Sequence, residues 1–279
     1  AAAAQRGLVP TVLTFSPHSR EYLAVRARKP NEAPTVITTL REKLSALSRA
    51  GAARVILLRF NDALAEMTSS DFIRTILAEG LRTKWLTVGE HFRFGRQAEG
   101  TTQQLISAGA QYGFHVDVMP PFLFRGKRIS SSDIREALKQ GDFARAGELL
   151  GKPYVVSGHV IPGDKRGRRL GFPTANLSIP SFNPVFSGVY VSRVHGLNAV
   201  PLPAVSMIGH RLTVDAVPSV RLETHILDYD DSCYGRLIRI EFLKKIRENR
   251  QFPDLAALKE SIRQDVLVAR HFLVQPDGD

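Results

Sequence analysis

The sequence has a single cysteine, Cys233. One thiol excludes an intrachain disulfide framework and a cysteine-based zinc cluster, and it fits a reducing cytoplasmic location. No apolar run approaches the length of a membrane span. The opening Ala1-Ala2-Ala3-Ala4-Gln5-Arg6-Gly7 lacks the apolar centre of a signal peptide. Beyond those alanines there are neither internal repeats nor low-complexity tracts. Acidic residues are few beside basic ones, 27 Asp and Glu against 38 Lys and Arg, for a formal charge of +11. That excess points to polyanionic partners, nucleic acid or phosphorylated small molecules. No zinc finger or RRM-like aromatic motif supports the first, and the basic residues are dispersed among acidic ones. Nucleic acid is thus the weaker expectation, no membrane partner is expected, and oligomeric state has no signature.

What is present suffices for two hydrophobic cores: 279 residues with 43% hydrophobic content. Up to about residue 150 the pattern alternates strands and helices. Thr11–Phe15, Arg54–Phe60, Trp85–Val88 and Phe114–Met119 read as strands. Between them, Leu40, Leu44 and Leu47 share a helical face, Thr68 with Asp71 resembles a capping box, and a helix spans Gln103 to Tyr112. This alternation predicts a parallel, doubly wound α/β sheet with ligands beyond the carboxyl ends of its strands. After Gly151-Lys152-Pro153 the pattern becomes mostly strand. Tyr154–Ile161, Gly188–Val194, Ala204–Ile208, Arg221–Leu227 and Leu237–Phe242 suggest a small antiparallel barrel. A last helix follows, with Asp254 as N-cap and Leu255, Leu258, Ile262 and Val266 on one face. Two domains are expected, 1–150 and 151–279.

One loop concentrates chemistry: Gly163-Asp164-Lys165-Arg166-Gly167-Arg168-Arg169-Leu170-Gly171-Phe172-Pro173-Thr174-Ala175-Asn176. Gly163, Gly167 and Gly171 permit sharp turns or a close approach to a ligand. Lys165 and Arg168 stand among four basic side chains, while Thr174 and Asn176 supply neutral oxygens. Backbone donors, cations and hard oxygens together describe a site for phosphate and magnesium; the alternative is a solvated basic loop. A kinase also needs a group to position the acceptor hydroxyl. Glu223, in Arg221-Leu222-Glu223-Thr224-His225-Ile226-Leu227-Asp228 and on the same strand face as His225, is the candidate; its alternative is a solvent-facing glutamate. In the first half, His18 follows the first strand, and Ser131, Ser132 and Arg135 open a helix that could hold a triphosphate or simply be capped by serine.

These residues carry a resemblance. The loop Gly163–Asn176, the following Gly188-Val189-Tyr190, the strand Leu222–Asp228, Tyr234-Gly235 and the final helix resemble the riboflavin kinase module. Val88–Gly95 and Ile129–Arg135 resemble two nucleotide loops of the bacterial bifunctional riboflavin kinase/FMN adenylyltransferase (FAD synthetase) family. The resemblance covers nearly the whole chain. It implies a Rossmann-like nucleotidyltransferase domain, then a six-stranded barrel with a C-terminal helix. It implies ATP and Mg²⁺ at Thr174 and Asn176, and Glu223 as base toward the riboflavin 5′-hydroxyl. Asp265 and Arg270 would then help cover the flavin. Ser131, Ser132 and Arg135 would contact ATP phosphates, with His18, Phe92, Arg93 and Phe94 near the site that turns FMN into FAD.

Departures accompany the match. The family's GxFDGVHxGH motif does not occur, its TFEPHP reads Thr14-Phe15-Ser16-Pro17-His18-Ser19, its aspartate before FRFG is His91, and its RPT reads Arg211-Leu212-Thr213. Electrostatic stabilisation of the transferring group is commonly the dominant catalytic term, so the expectation is a chain that forms FMN and adenylylates it poorly. A degenerate flavin- or nucleotide-binding regulatory protein is the alternative.

Overall fold

The computed structural model describes residues 2–29, 32–163, 166–179, 183–211 and 219–274. Lys165 of the basic loop, and Leu212 and Thr213, lie outside the described residues. The chain divides into two compact units, residues 1–34 with 44–129, and residues 35–43 with 130–279.

In the first unit, strands β1 (Thr11–Ser16) and β2 (Arg54–Arg59) pair in parallel, as do β3 (Trp85–Gly89) and β4 (His115–Met119). The parallel pairing follows from the helical crossovers between consecutive strands. A small antiparallel ribbon, β5 (Leu123–Phe124) with β6 (Lys127–Arg128), follows. Phe72, Ile73, Leu77, Val88, Leu105 and Phe114 form the buried core. The Thr68–Asp71 pair caps its helix start: Thr68 Oγ1 accepts from the Asp71 amide at 3.1 Å and donates to Asp71 Oδ2 at 2.8 Å. Past Asp71 the helix continues with π-type bonding over Phe72–Gly80.

The second unit is built on a closed barrel of six strands. They are β7 (Val155–Ile161), β8 (Ala175–Ser178), β9 (Gly188–His195), β10 (Leu202–Arg211), β11 (Ser219–Ile226) and β12 (Leu237–Arg247), in spatial order β10-β11-β8-β7-β12-β9. All six neighbouring pairs are antiparallel. The shortest, β8, is four residues long, with Ala175 and Leu177 buried and Asn176 and Ser178 less so. It is a strand because β7 and β11 pair with it on either side. Helices Ser131–Gln140 and Phe143–Leu150 pack in this unit too. Phe143 stacks within an aromatic cluster of Tyr154, Phe186, Tyr190 and Phe242, at centroid distances from 5.2 to 6.1 Å.

Two helical faces differ from the pattern reading. In the helix Leu40–Arg49, Leu40 and Leu44 are 41% and 38% exposed, while Glu42 is buried. Glu42 accepts from the Thr39 amide at 3.0 Å and the Ser157 amide at 2.8 Å, and it also bonds the Ser157 hydroxyl. Three donors replace the water a carboxylate loses on burial, so hydrogen bonding overrides hydropathy. Glu42→Ala leaves those donors without their acceptor, and a loss of about 3 kcal/mol of stability is expected. Urea denaturation reads this directly; an unchanged midpoint would show that the carboxylate contributes nothing.

The C-terminal helix, Leu255–Val274, buries Ser261, Asp265 and Ala269, and Leu255 is exposed. Asp254 caps it, accepting from the Ala257 amide at 2.7 Å. Asp265 is tolerated inside because Arg247 meets it with two parallel bonds of 2.9 and 2.8 Å. Near its C-terminal end, Val266, Phe272 and Leu273 pack against the cluster formed by Val189, Val191, Val205 and Leu227.

Candidate active site

A cavity of about 550 Å³ opens between the basic loop, strands β10 and β11, and the C-terminal helix. Within the second unit it gathers residues from six separate stretches, including Gly167, Thr174, Asn176, Glu223, Arg247 and Asp265. A smaller cavity of about 60 Å³ shares Thr174 and is bordered by Arg168 and Tyr234. Thr174 therefore stands where the two meet.

The glycines have distinct steric reasons. A Cβ at Gly163 would fall 2.3 Å from the Asn176 side-chain nitrogen, and one at Gly167 would fall 2.3 Å from the Phe172 carbonyl oxygen. Gly167 also lies against Thr174, whose Oγ1 would be 3.3 Å from such a Cβ. The loop is thus folded onto the two neutral oxygen candidates, Thr174 and Asn176, by contacts only hydrogen permits. Gly167 itself lies in the short helix Arg166–Leu170, which Gly171 follows.

Strand register supplies the acceptor side. Glu223 on β11 is directly opposite Asn176 on β8. Side chains so placed have Cβ atoms about 5 Å apart. Glu223 is 17% exposed, and Arg221 Nε donates to its Oε1 at 2.7 Å. Two residues further along the same face, His225 Nδ1 bonds the Pro173 carbonyl at 2.8 Å, and its ring meets Phe172 edge-on at 5.4 Å. The bond fixes a tautomer with the proton on Nδ1. Burial, with the Arg270 charge in support, holds the His225 pKa below the ordinary 6.5. The folded state therefore favours the neutral ring. Its contribution to stability is complete above 6.5 and is lost as pH falls from there to the depressed folded value. An NMR titration of His225 should show a midpoint under 6.5; a midpoint above it would mean the ring is not desolvated.

Arg270 is placed differently from Asp265. Its guanidinium forms two bonds to Asp228, at 2.8 and 2.6 Å, and it is not among the residues lining the larger cavity. The first-half candidates fall in two units. His18 caps the helix Ser19–Arg26, accepting from the Arg20 amide at 3.2 Å. Phe94 is buried against Phe72, Phe92 stacks on Phe94 at 5.6 Å, and Arg93 is exposed. Ser131 and Ser132 begin the helix Ser131–Gln140 and are exposed, while Ser130 before them is the N-cap, in a reciprocal capping box with Asp133. Arg135 bonds the carbonyls of Thr35 at 2.9 Å and Ser131 at 3.3 Å.

The pattern reading did not single out Arg221, Arg247 or Asn249, which all line the larger cavity. Arg221 had a signal, its spacing of two from Glu223 and four from His225, which puts all three on one strand face. Arg247 and Asn249 had none, since the strand end and turn that carry them match no motif. Asn249 is held by a 2.8 Å bond to the Ile208 carbonyl.

Comparison with known proteins matches both halves. A riboflavin kinase family model covers residues 150–273, and a FAD synthetase model covers residues 1–133. The bifunctional riboflavin kinase/FMN adenylyltransferase of Escherichia coli K12 is 41% identical over 268 residues, 96% of this chain and 84% of that protein. Its counterpart in Haemophilus influenzae is 36% identical over 271 residues, 97% and 86% of the two chains. Among solved structures, one described as a macrolide-efflux protein from Streptococcus pneumoniae superposes with a TM-score of 0.72 at 28% identity. It covers 96% of this chain and 86% of its own. Among the described residues, no helix here is long and apolar enough to cross a membrane.

Proposed function

This chain belongs to the bifunctional riboflavin kinase/FMN adenylyltransferase family, and from that premise we propose how its residues divide the work. The barrel unit phosphorylates riboflavin with ATP, and the half matched by the FAD synthetase model adenylylates FMN to FAD. The observation that carries the kinase assignment is the direct opposition of Asn176 and Glu223 in one cavity with Thr174. It brings a phosphate-side oxygen ligand and a carboxylate to the same few ångströms, which phosphoryl transfer requires.

ATP lies over the glycine loop, its phosphates near Thr174 and Asn176, with Arg168 on the smaller-cavity side. Lys165 belongs to the same loop and would add a cation there. Riboflavin enters the larger cavity, its apolar ring system against Met207, Phe252, Leu258 and Ile262, near the Arg247–Asp265 pair. Glu223 takes the proton of the 5′-hydroxyl as that oxygen attacks the γ-phosphorus, and ADP leaves. Arg270, paired with Asp228 in this structure, is assigned to closing the flavin side from the last helix.

Magnesium fits the donors present. Thr174 and Asn176 offer two neutral oxygens, and no cluster of three or more His, Cys, Asp or Glu side chains suited to a metal occurs among the described residues. Magnesium keeps several waters and takes much of its shell from substrate phosphates, so two protein oxygens suffice. When bound, the ion would neutralise developing phosphate charge. For adenylylation, Ser131, Ser132 and Arg135 are assigned to ATP phosphates, and His18, Phe92, Arg93 and Phe94 to the surroundings of the reacting groups.

The test is product analysis. Riboflavin, ATP and magnesium with the full chain should give FMN and then FAD, resolved by chromatography. Absence of FMN removes the kinase assignment, and FMN without FAD removes the adenylyltransferase one. No observation favours a degenerate flavin-binding protein.

A further inference from the structure

The mode of contact between Arg221 and Glu223 goes beyond family membership. Arg221 Nε donates to Glu223 Oε1 at 2.7 Å, and Nη2 of the same guanidinium pairs with that same oxygen. Among the described residues no hydrogen bond reaches Oε2. The guanidinium thus grips one oxygen of the carboxylate, and both residues line the cavity. Arg221 is partly buried, with 31% of its side chain exposed, and shares the strand face of Glu223. A carboxylate on a short two-carbon stem otherwise rotates about its terminal torsion, exchanging its oxygens.

We propose that Arg221 is the positioning residue of the kinase reaction: it fixes the Glu223 carboxylate by Oε1 so that Oε2 faces the acceptor hydroxyl. The inference rests on the assignment of Glu223 as base. A rigid planar fork suits the task, because two donors converging on one oxygen hold that oxygen in place and oppose its exchange with the other. Arg221 has no direct dealings with the transferring phosphoryl group in this scheme and acts only through Glu223.

Steady-state FMN formation by the full chain separates the possibilities. Arg221→Gln should lower kcat about ten- to a hundredfold, part of the general-base contribution, with KM for riboflavin and ATP changed less than about twofold, the pattern of a group felt only in the transition state. Arg221→Lys, which keeps a cation but not the fork, should recover part of that loss. In a Glu223→Gln background, Arg221→Gln should have no further effect, since a residue acting through another adds nothing once the other is removed. Wild-type kcat in Arg221→Gln, a rise in KM alone, or an undiminished effect in the Glu223→Gln background would overturn the positioning role. The first of these, combined with an inactive Glu223→Gln, leaves the base assignment standing. Wild-type turnover in Glu223→Gln itself removes the base, and the positioning role with it.

Discussion

Glu223→Gln is expected to lower riboflavin phosphorylation by about 10²–10⁴-fold, the range typical of a lost general base. The amide is nearly isosteric and can still accept a bond from Arg221, so the barrel should remain folded. ATP affinity should hardly move, because the nucleotide is assigned to the glycine loop, Thr174 and Asn176 rather than to this carboxylate. The measurement is therefore a pair: FMN formation by chromatography and ATP binding by calorimetry on the same preparation. Lost turnover with retained binding is the expected result. Full turnover would remove Glu223 from the mechanism, and lost binding would make it a structural support of the loop. Substrate orientation and phosphate neutralisation do not depend on this carboxylate, so a residual rate above the uncatalysed one is also expected.

The second large effect concerns a residue with no functional group. Gly163→Ala puts a Cβ where the Asn176 side chain now lies, 2.3 Å from its nitrogen. No atom can stay at that distance, so one of the two must move. The obstacle is a side-chain end rather than backbone, so the fold can relieve the clash by turning Asn176 aside. Stability should then change by less than about 1 kcal/mol, as at a site that relaxes. Magnesium-dependent ATP affinity should fall about 10- to 100-fold, as when a group that supports a metal site is displaced. Thermal unfolding and nucleotide titration with and without magnesium separate the two. Unchanged magnesium dependence would show that Asn176 is not a ligand. Gly167→Ala offers the contrast, since its Cβ would meet the Phe172 carbonyl, and backbone cannot turn aside. There a loss of stability should accompany the loss of binding.

Much of this was legible in the sequence because it is local. The alternation of strand and helix up to Met119, the caps at Thr68 and Asp254, and the glycine loop with Thr174 and Asn176 are set by neighbours within a few residues. Short-range patterns record such constraints directly. Glu223 was legible as a candidate through its strand and its motif, though alternation alone left open which way it faced.

The rest waited on long-range contacts. Whether Leu40 and Leu44 or Glu42 would be buried depended on donors from Ser157 on the barrel. Asp265, on a helix whose leucines suggested a different inner face, is inside because Arg247 on β12 reaches it. Phe143 joins the barrel unit because four aromatic rings converge on it, and a short helix carries no mark of where it will dock. The order of the barrel strands is not the order of the chain, and it is this closure that sets β8 beside β11.

By itself, then, the sequence determined the chemistry on offer: a loop with the groups to hold phosphates, two neutral oxygens, and a carboxylate on a strand. The tertiary structure alone decided that the carboxylate faces the oxygens. A slip of one residue in the pairing of β8 with β11 would carry Glu223 to the opposite face of the sheet and leave the loop without its partner. That register is held by hydrogen bonds between strands far apart in the chain, and a local pattern contains no trace of them.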